Sequence, residues 1–235
     1  MNGPRILVAI ALAGAALAVG ASPAAATNEC RGLMVCVPVT GPWVLVPTGS
    51  GVPRPHVEFQ LSCPRGYIVG GLDAELTDRS IDILFLGTLG SPVNPGVTTS
   101  RAALFVASLV RTSAHTPSFR PHIGCMPASG GGGIPALATR IVPPGKPTIR
   151  RVRDVPLASG RRRVVQRCAP GERLVAASHA VGFFIDDPPG ARLAASITAV
   201  QAVRGNGVTV SVRTRAAARD AGPVLQVDAV CAGGQ

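Results

Sequence analysis

The sequence predicts an all-β protein: two tandem repeats, each a β-sandwich or small barrel closed by a disulfide. Three observations carry this. Val57-Glu58-Phe59-Gln60-Leu61, Val208–Val212 and Leu225–Ala229 alternate apolar and polar residues, which turns one face of each strand to a core and the other to water. Turn signals separate such segments: Asn94-Pro95-Gly96, Asp187-Pro188-Pro189-Gly190 and Gly205-Asn206-Gly207. The intervals Cys63–Cys125 and Cys168–Cys231 are 62 and 63 residues, close enough to suggest one unit used twice. With 28 Gly and 22 Pro among 235 residues, a helical bundle is disfavoured. With 46% hydrophobic residues, disorder is disfavoured as well.

Residues 1–26 read as a signal peptide. Arg5 supplies the basic start, Ile6 to Val19 is apolar, and Ala24-x-Ala26 sets cleavage before Thr27. The apolar run of about 14 residues is shorter than the roughly 20 a spanning helix needs, and no second run follows, so no transmembrane helix is expected after cleavage. All six cysteines lie beyond that point, as disulfides of an exported chain would. Residues 27–39 form an N-terminal segment whose Cys30 and Cys36 close a small loop.

Repeat 1 is expected at 40–127, a Gly/Pro-rich linker at 128–147 and repeat 2 at 148–235. Val46-Pro47-Thr48-Gly49-Ser50-Gly51 lines up with Val155-Pro156-Leu157-Ala158-Ser159-Gly160, and Ser108–Thr112 with Ser211–Thr214. A glycine stands three residues past each opening cysteine, at Gly66 and Gly171. Strands are expected at 42–47, 56–62, 67–74, 81–86, 101–111, 119–125, 162–167, 174–185, 196–204, 208–213 and 225–231, with a helical turn over Arg215–Asp220. Equal intervals favour Cys63–Cys125 and Cys168–Cys231 on neighbouring strands, leaving Cys30–Cys36. Trp43 is expected in the core at the start of repeat 1.

The formal net charge is +11, and it is concentrated. Between Arg140 and Arg167, nine basic residues (Arg140, Lys146, Arg150, Arg151, Arg153, Arg161, Arg162, Arg163 and Arg167) meet only Asp154, giving +8. The flanks 27–139 and 168–235 each sum to +1. Arginine forks suit phosphate and carboxylate, so this stripe is the candidate anion-binding surface. A solvated face is the competing reading. Nucleic acid is disfavoured, because no aromatic platform interleaves the charges.

Catalytic motifs are missing: no Gly-x-Ser-x-Gly, His-Glu-x-x-His, Ser-x-x-Lys or phosphate loop occurs. Lys146, in the linker, is badly placed for Schiff-base chemistry. His122 with Cys125, and His56 with Cys63, offer zinc ligands only if the cysteines are free. Asp73, Glu75, Asp78 and Asp82 could bind calcium or act as a hydrolase pair, but they lack the glycine and closing glutamate of a calcium loop. No cofactor and no metal is expected.

Cys63-Pro64-Arg65-Gly66 with Ile68-Val69-Gly70-Gly71, and the closing Ala229-Val230-Cys231-Ala232, resemble a motif of functionally uncharacterised small exported proteins of high-GC Gram-positive bacteria. The resemblance implies export and disulfide pairing and carries no site residues. Repeat 2 departs from it with Ala176-Ala177 in place of the glycines. The expected function is a secreted, non-enzymatic binding or structural protein of the cell surface or wall, its partner an anionic wall polymer. The alternatives are an inhibitor or protein-interaction module acting through loop 87–100, with a protein as partner, and a hydrolase using the Asp73–Asp82 carboxylates.

Overall fold

A computed structural model describes residues 27–49, 51–86, 101–113, 116–128 and 148–233. The expected signal peptide, loop 87–100 and most of linker 128–147 lie outside the described residues. The described residues form an all-β fold, in three antiparallel sheets, none of them a closed barrel.

The strands are β1 (Val37–Thr40), β2 (Trp43–Leu45), β3 (His56–Ser62), β4 (Tyr67–Leu76), β5 (Ile81–Leu86), β6 (Ala102–Leu109), β7 (Ser118–Pro127), β8 (Thr148–Pro156), β9 (Gly160–Arg167), β10 (Glu172–Phe183), β11 (Ile197–Arg204), β12 (Gly207–Thr214) and β13 (Pro223–Gly233). A helical turn (Ala191–Ala194) precedes β11, and a 3-10 turn (Ala216–Ala221) precedes β13. Sequence reasoning missed β1 and β8, which carry Pro38 and a run of arginines.

The two halves pair their strands in the same order. In the first, β3 pairs β6, β6 pairs β5 and β4 pairs β7. In the second, β9 pairs β12, β12 pairs β11 and β10 pairs β13. Even the irregularities coincide. Gly66 (φ +82°) and Gly171 (φ +83°) take the third position of equivalent turns, closed by Tyr67 N–H to Pro64 O and Glu172 N–H to Ala169 O. Only glycine adopts that conformation freely. A β-bulge follows each turn, between Val69 and Gly71 and between Leu174 and Ala176. The short motifs that suggested a repeat are, however, out of step with this pairing. Val46 N–H bonds Pro117 O where Leu157 N–H bonds Pro223 O, so Val46 matches Leu157 rather than Val155. Likewise Ser108, opposite His56, matches Arg213, opposite Arg161.

One seven-stranded sheet runs through both halves. Its order is β1-β7-β2-β10-β13-β8, with β4 on the other side of β7. The joint is β2 against β10, through Trp43↔Phe183 and Val44↔Gly182. Successive side chains on a strand point to opposite faces. Val44 therefore enters the first core while Leu45 packs on the second, and Ala180 enters the first while Val181 and Phe183 pack in the second. The sheet β3-β6-β5 covers the first core, with Phe59, Phe105, Phe119 and Ile123. The sheet β11-β12-β9 covers the second, on the opposite face, with Phe183, Val208, Val210 and Leu225. Trp43 is buried, as expected, and sits at the joint between the halves. Its Nε1–H donates to Asp186 O at 3.1 Å, and the Arg120 guanidinium lies 5.9 Å from the ring centroid.

All three disulfides form as the intervals suggested: Cys30–Cys36, Cys63–Cys125 and Cys168–Cys231. The long ones do not join neighbouring strands. Cys63 follows β3 and Cys125 lies in β7, so that bridge ties a covering sheet to the shared sheet, and Cys168–Cys231 does the same between β9 and β13. Closing loops of this length stabilises by roughly 4 kcal/mol each.

Candidate functional site

The structure splits the basic stripe, because its residues lie on two strands with alternating faces. Arg140 and Lys146 lie outside the described residues. On β8, Arg150 points away from the second core. It bonds Asp228 of β13 and, at 2.6 Å, Glu58 of β3. Glu58 also accepts from Ser178 Oγ, at 3.2 Å. Beside this network, Gln226 accepts from Gln60 N–H at 2.6 Å and donates to Gln60 O and Asp154 Oδ1. These groups fasten β3 of the first half to the back of β8-β13-β10.

Arg151, one residue on, takes the other face and forks onto Glu172 at 2.7 and 3.0 Å. That bidentate bond, with the Ala169 N–H, holds the Glu172 carboxyl below the ordinary glutamate range. Arg153 donates to Val165 O and Arg162 to Pro156 O. None of these four residues is free for a ligand without losing a structural contact.

Arg161, Arg163 and Arg167 are placed differently. In β9 the apolar Val164 faces the core, so the odd-numbered neighbours face out. The registers of β9 with β12 and of β12 with β11 build four outward rows: Arg161·Arg213·Thr198, Arg163·Ser211·Val200, Val165·Thr209·Ala202 and Arg167·Gly207·Arg204. Five arginines share this exposed face, and no acidic residue does. Arg161, Arg163, Arg167, Arg204 and Arg213 have no ion pair among the described residues. Arg161 and Arg213 stand directly opposite, where Cβ atoms are about 5 Å apart and like charges repel. A shallow depression of about 540 Å³ lies over these rows, lined by Arg161, Arg163, Arg213, Thr198, Ser211 and Val200, with Arg162 and Val212 also at its wall.

Arg213 and Arg204 were missed by sequence reasoning because they lie some 40–50 positions from Arg163, in a segment of ordinary net charge. The signal was present in outline: Thr209, Ser211 and Arg213 alternate with valines, and the cysteine repeat sets that segment opposite Arg161–Arg167.

The carboxylates considered for calcium or hydrolysis do not gather in one cleft. Asp73 accepts from Asn28 N–H and Ala74 N–H, and Glu75 lies 2.7 Å from His122 Nε2. Asp78 accepts from Ser80 N–H and Ser113 Oγ. Asp82 sits on β5, in another sheet. The histidine–cysteine pairs lose their thiolates to Cys63–Cys125. Among the described residues, the grouping with metal-ligand spacing is Cys168, Glu172 and Cys231, and both its sulfurs are in a disulfide.

No protein-family model, curated protein or solved structure matches the chain. Among the described residues no helix is long and apolar enough to cross a membrane.

Proposed function

We propose that the protein is a secreted, non-enzymatic binding module of the cell surface or wall, built from two copies of one β unit. Its contact is the outward face of β9-β12-β11 and its ligand an anionic polymer. One observation carries the reading: five exposed arginines stand on a single face with no carboxylate among them, two of them directly opposed. A face of solvated charge would disperse or pair such groups, as the chain does with Arg150 and Arg151. Thr198, Ser211 and Thr209 between the arginines offer hydroxyl groups to the polar backbone of a polymer. The three disulfides fit an oxidising compartment.

The test is retention of the protein on isolated cell walls across a salt series. Retention should fall steeply as the screening length shortens from about 8 Å at physiological salt to about 3 Å at 1 M. Replacing Arg161, Arg163 and Arg213 by Gln should abolish it at every salt concentration. Equal retention of both proteins, or none of either, overturns the proposal.

A further inference from the structure

We propose that Asp73, with Glu29 beside it in the chain's opening strap, forms a binding site for a primary ammonium, and that the ammonium is the α-amino group of Thr27. This rests on the reading that the chain is exported and cleaved before Thr27.

The strap 28–36 lies on the outer face of the shared sheet, where Gly71 of β4 and Gly124 of β7 face each other. The carbonyl oxygen of Glu29 occupies the space a side chain would need. A Cβ at Gly71 would sit 1.8 Å from it, and one at Gly124 would sit 2.1 Å away. The Cys30–Cys36 disulfide closes the strap behind this contact. In front of it, Asn28 N–H donates to Asp73 Oδ2 at 2.6 Å. Successive backbone nitrogens lie at most about 3.7 Å apart, so Thr27 N is within about 6 Å of that carboxylate oxygen. At this range an opposite charge favours the ionised form of both partners.

The carboxylates there lack a cation. Asp73 has no basic partner among the described residues, only the Asn28 and Ala74 amides. Glu29 is 5% exposed and its Oε2 has no partner. The neighbouring charges on the sheet are otherwise engaged. His122, opposite Asp73 in the register, turns its Nε2 diagonally to Glu75 at 2.7 Å, and Arg120, opposite Glu75, turns to Gly41 O and the Trp43 ring. Arg31 closes the strap's first turn, its N–H donating to Asn28 O at 2.9 Å, and makes no ion pair among the described residues. While a leader is attached, Thr27 N is a neutral amide. Cleavage replaces it with a cation one residue from the Asn28 N–H that Asp73 accepts and two residues from the buried Glu29. Processing then locks the strap.

The sign of the pH dependence follows. An α-amine raised by carboxylates stabilises the folded chain fully below its unfolded value, about 7.7–8.0, and that contribution is lost as pH rises through the folded value.

The experiment uses the full mature chain released from a fusion so that Thr27 is its first residue, beside the same chain acetylated at that nitrogen. The α-amine should titrate above its reference range of about 7.7–8.0, and should return to that range in Asp73→Asn. At pH 7, hydrogen exchange of the strap amides 29–36 should be several-fold slower in the free-amine form than in the acetylated one, and the difference should vanish by about pH 10. An α-amine titrating in the reference range in both proteins, or equal strap exchange with and without the acetyl group, overturns the site. Intact mass of the exported protein tests the reading beneath it: a first residue other than Thr27 sinks export with cleavage at that bond, whatever the titration shows.

Discussion

Glu58 and Arg163 occupy the same place in the two halves, five residues before the opening cysteine on the edge strand that leads to it. Glu58 is used internally: with Gln60 it binds β3 to the back of the other half through Arg150, Ser178 and Gln226. Arg163 meets nothing comparable. The equivalent strand β9 keeps its outward face to solvent, and arginines stand at 161, 163 and 167 where the first half has His56, Glu58 and Ser62. The same strand pairing therefore makes an internal seam in one half and an open surface in the other. Burial decides which charges are structural: an arginine brought to the seam carries its carboxylates with it, whereas those on the open face stand unpaired.

The largest test of that comparison removes the staples. Replacing Cys63 and Cys125 by Ala, or Cys168 and Cys231, should each cost about 4 kcal/mol in chemical denaturation, because the closed loops differ by one residue. A large inequality would show that one half depends on the other for its fold.

Next is the seam itself. Arg150→Ala leaves Asp228, only 3% exposed, without its counter-charge and removes a partner of Glu58. The arginine is a quarter exposed, so the loss should be about 3 kcal/mol rather than the full cost of a buried ion. Arg163→Ala, on the open face, should change stability by less than about 0.5 kcal/mol. Similar losses for the two would erase the distinction between seam and surface.

The halves also differ in acid. At the residue after the turn glycine, the first half has Tyr67 and the second Glu172. Arg151 and the Ala169 amide depress the Glu172 pKa in the folded state, so its stabilising contribution is complete above about 4.3 and is lost as pH falls through the lower folded value. Thermal unfolding followed from pH 5 to pH 2 should show a drop that Glu172→Gln removes. An unchanged acid profile in that variant would mean the ion pair contributes nothing net.

The sequence made parts of this legible for identifiable reasons. Disulfide pairing could be read because equal intervals survive any register, and the outward rows of β12 because valines mark the inward ones. The shared sheet could not be read. Trp43 and Phe183 look like ordinary core residues, and nothing local shows that their strands are neighbours some 140 positions apart. Strand β8 was hidden because three of its nine residues are arginine, which suggests solvent until partners from β3, β10 and β13 are in place. The same non-locality concealed Arg213. Charge counted along the chain ended the stripe at Arg167, whereas charge counted across strands begins a second row there.

The smallest expected effect is the most informative about purpose. Arg161 and Arg213 repel across one rung of β9 and β12. Arg161→Glu turns that rung into an opposite-charge pair, a change of roughly 0.2–1 kcal/mol in favour of folding at low salt. For a domain of this size, that raises the melting temperature by about 1–4 °C. The gain should fade in 1 M salt, where the interaction is screened. If the face exists to hold a polyanion, the same substitution should abolish retention on cell walls while the protein becomes more stable. Such opposed changes are expected where a site keeps an unfavourable arrangement for its ligand. A variant that is stabilised and still binds would move the contact elsewhere on the molecule. A variant that is neither stabilised nor impaired would show that the opposed arginines already point apart into solvent, and the open half would then differ from the seam in exposure alone.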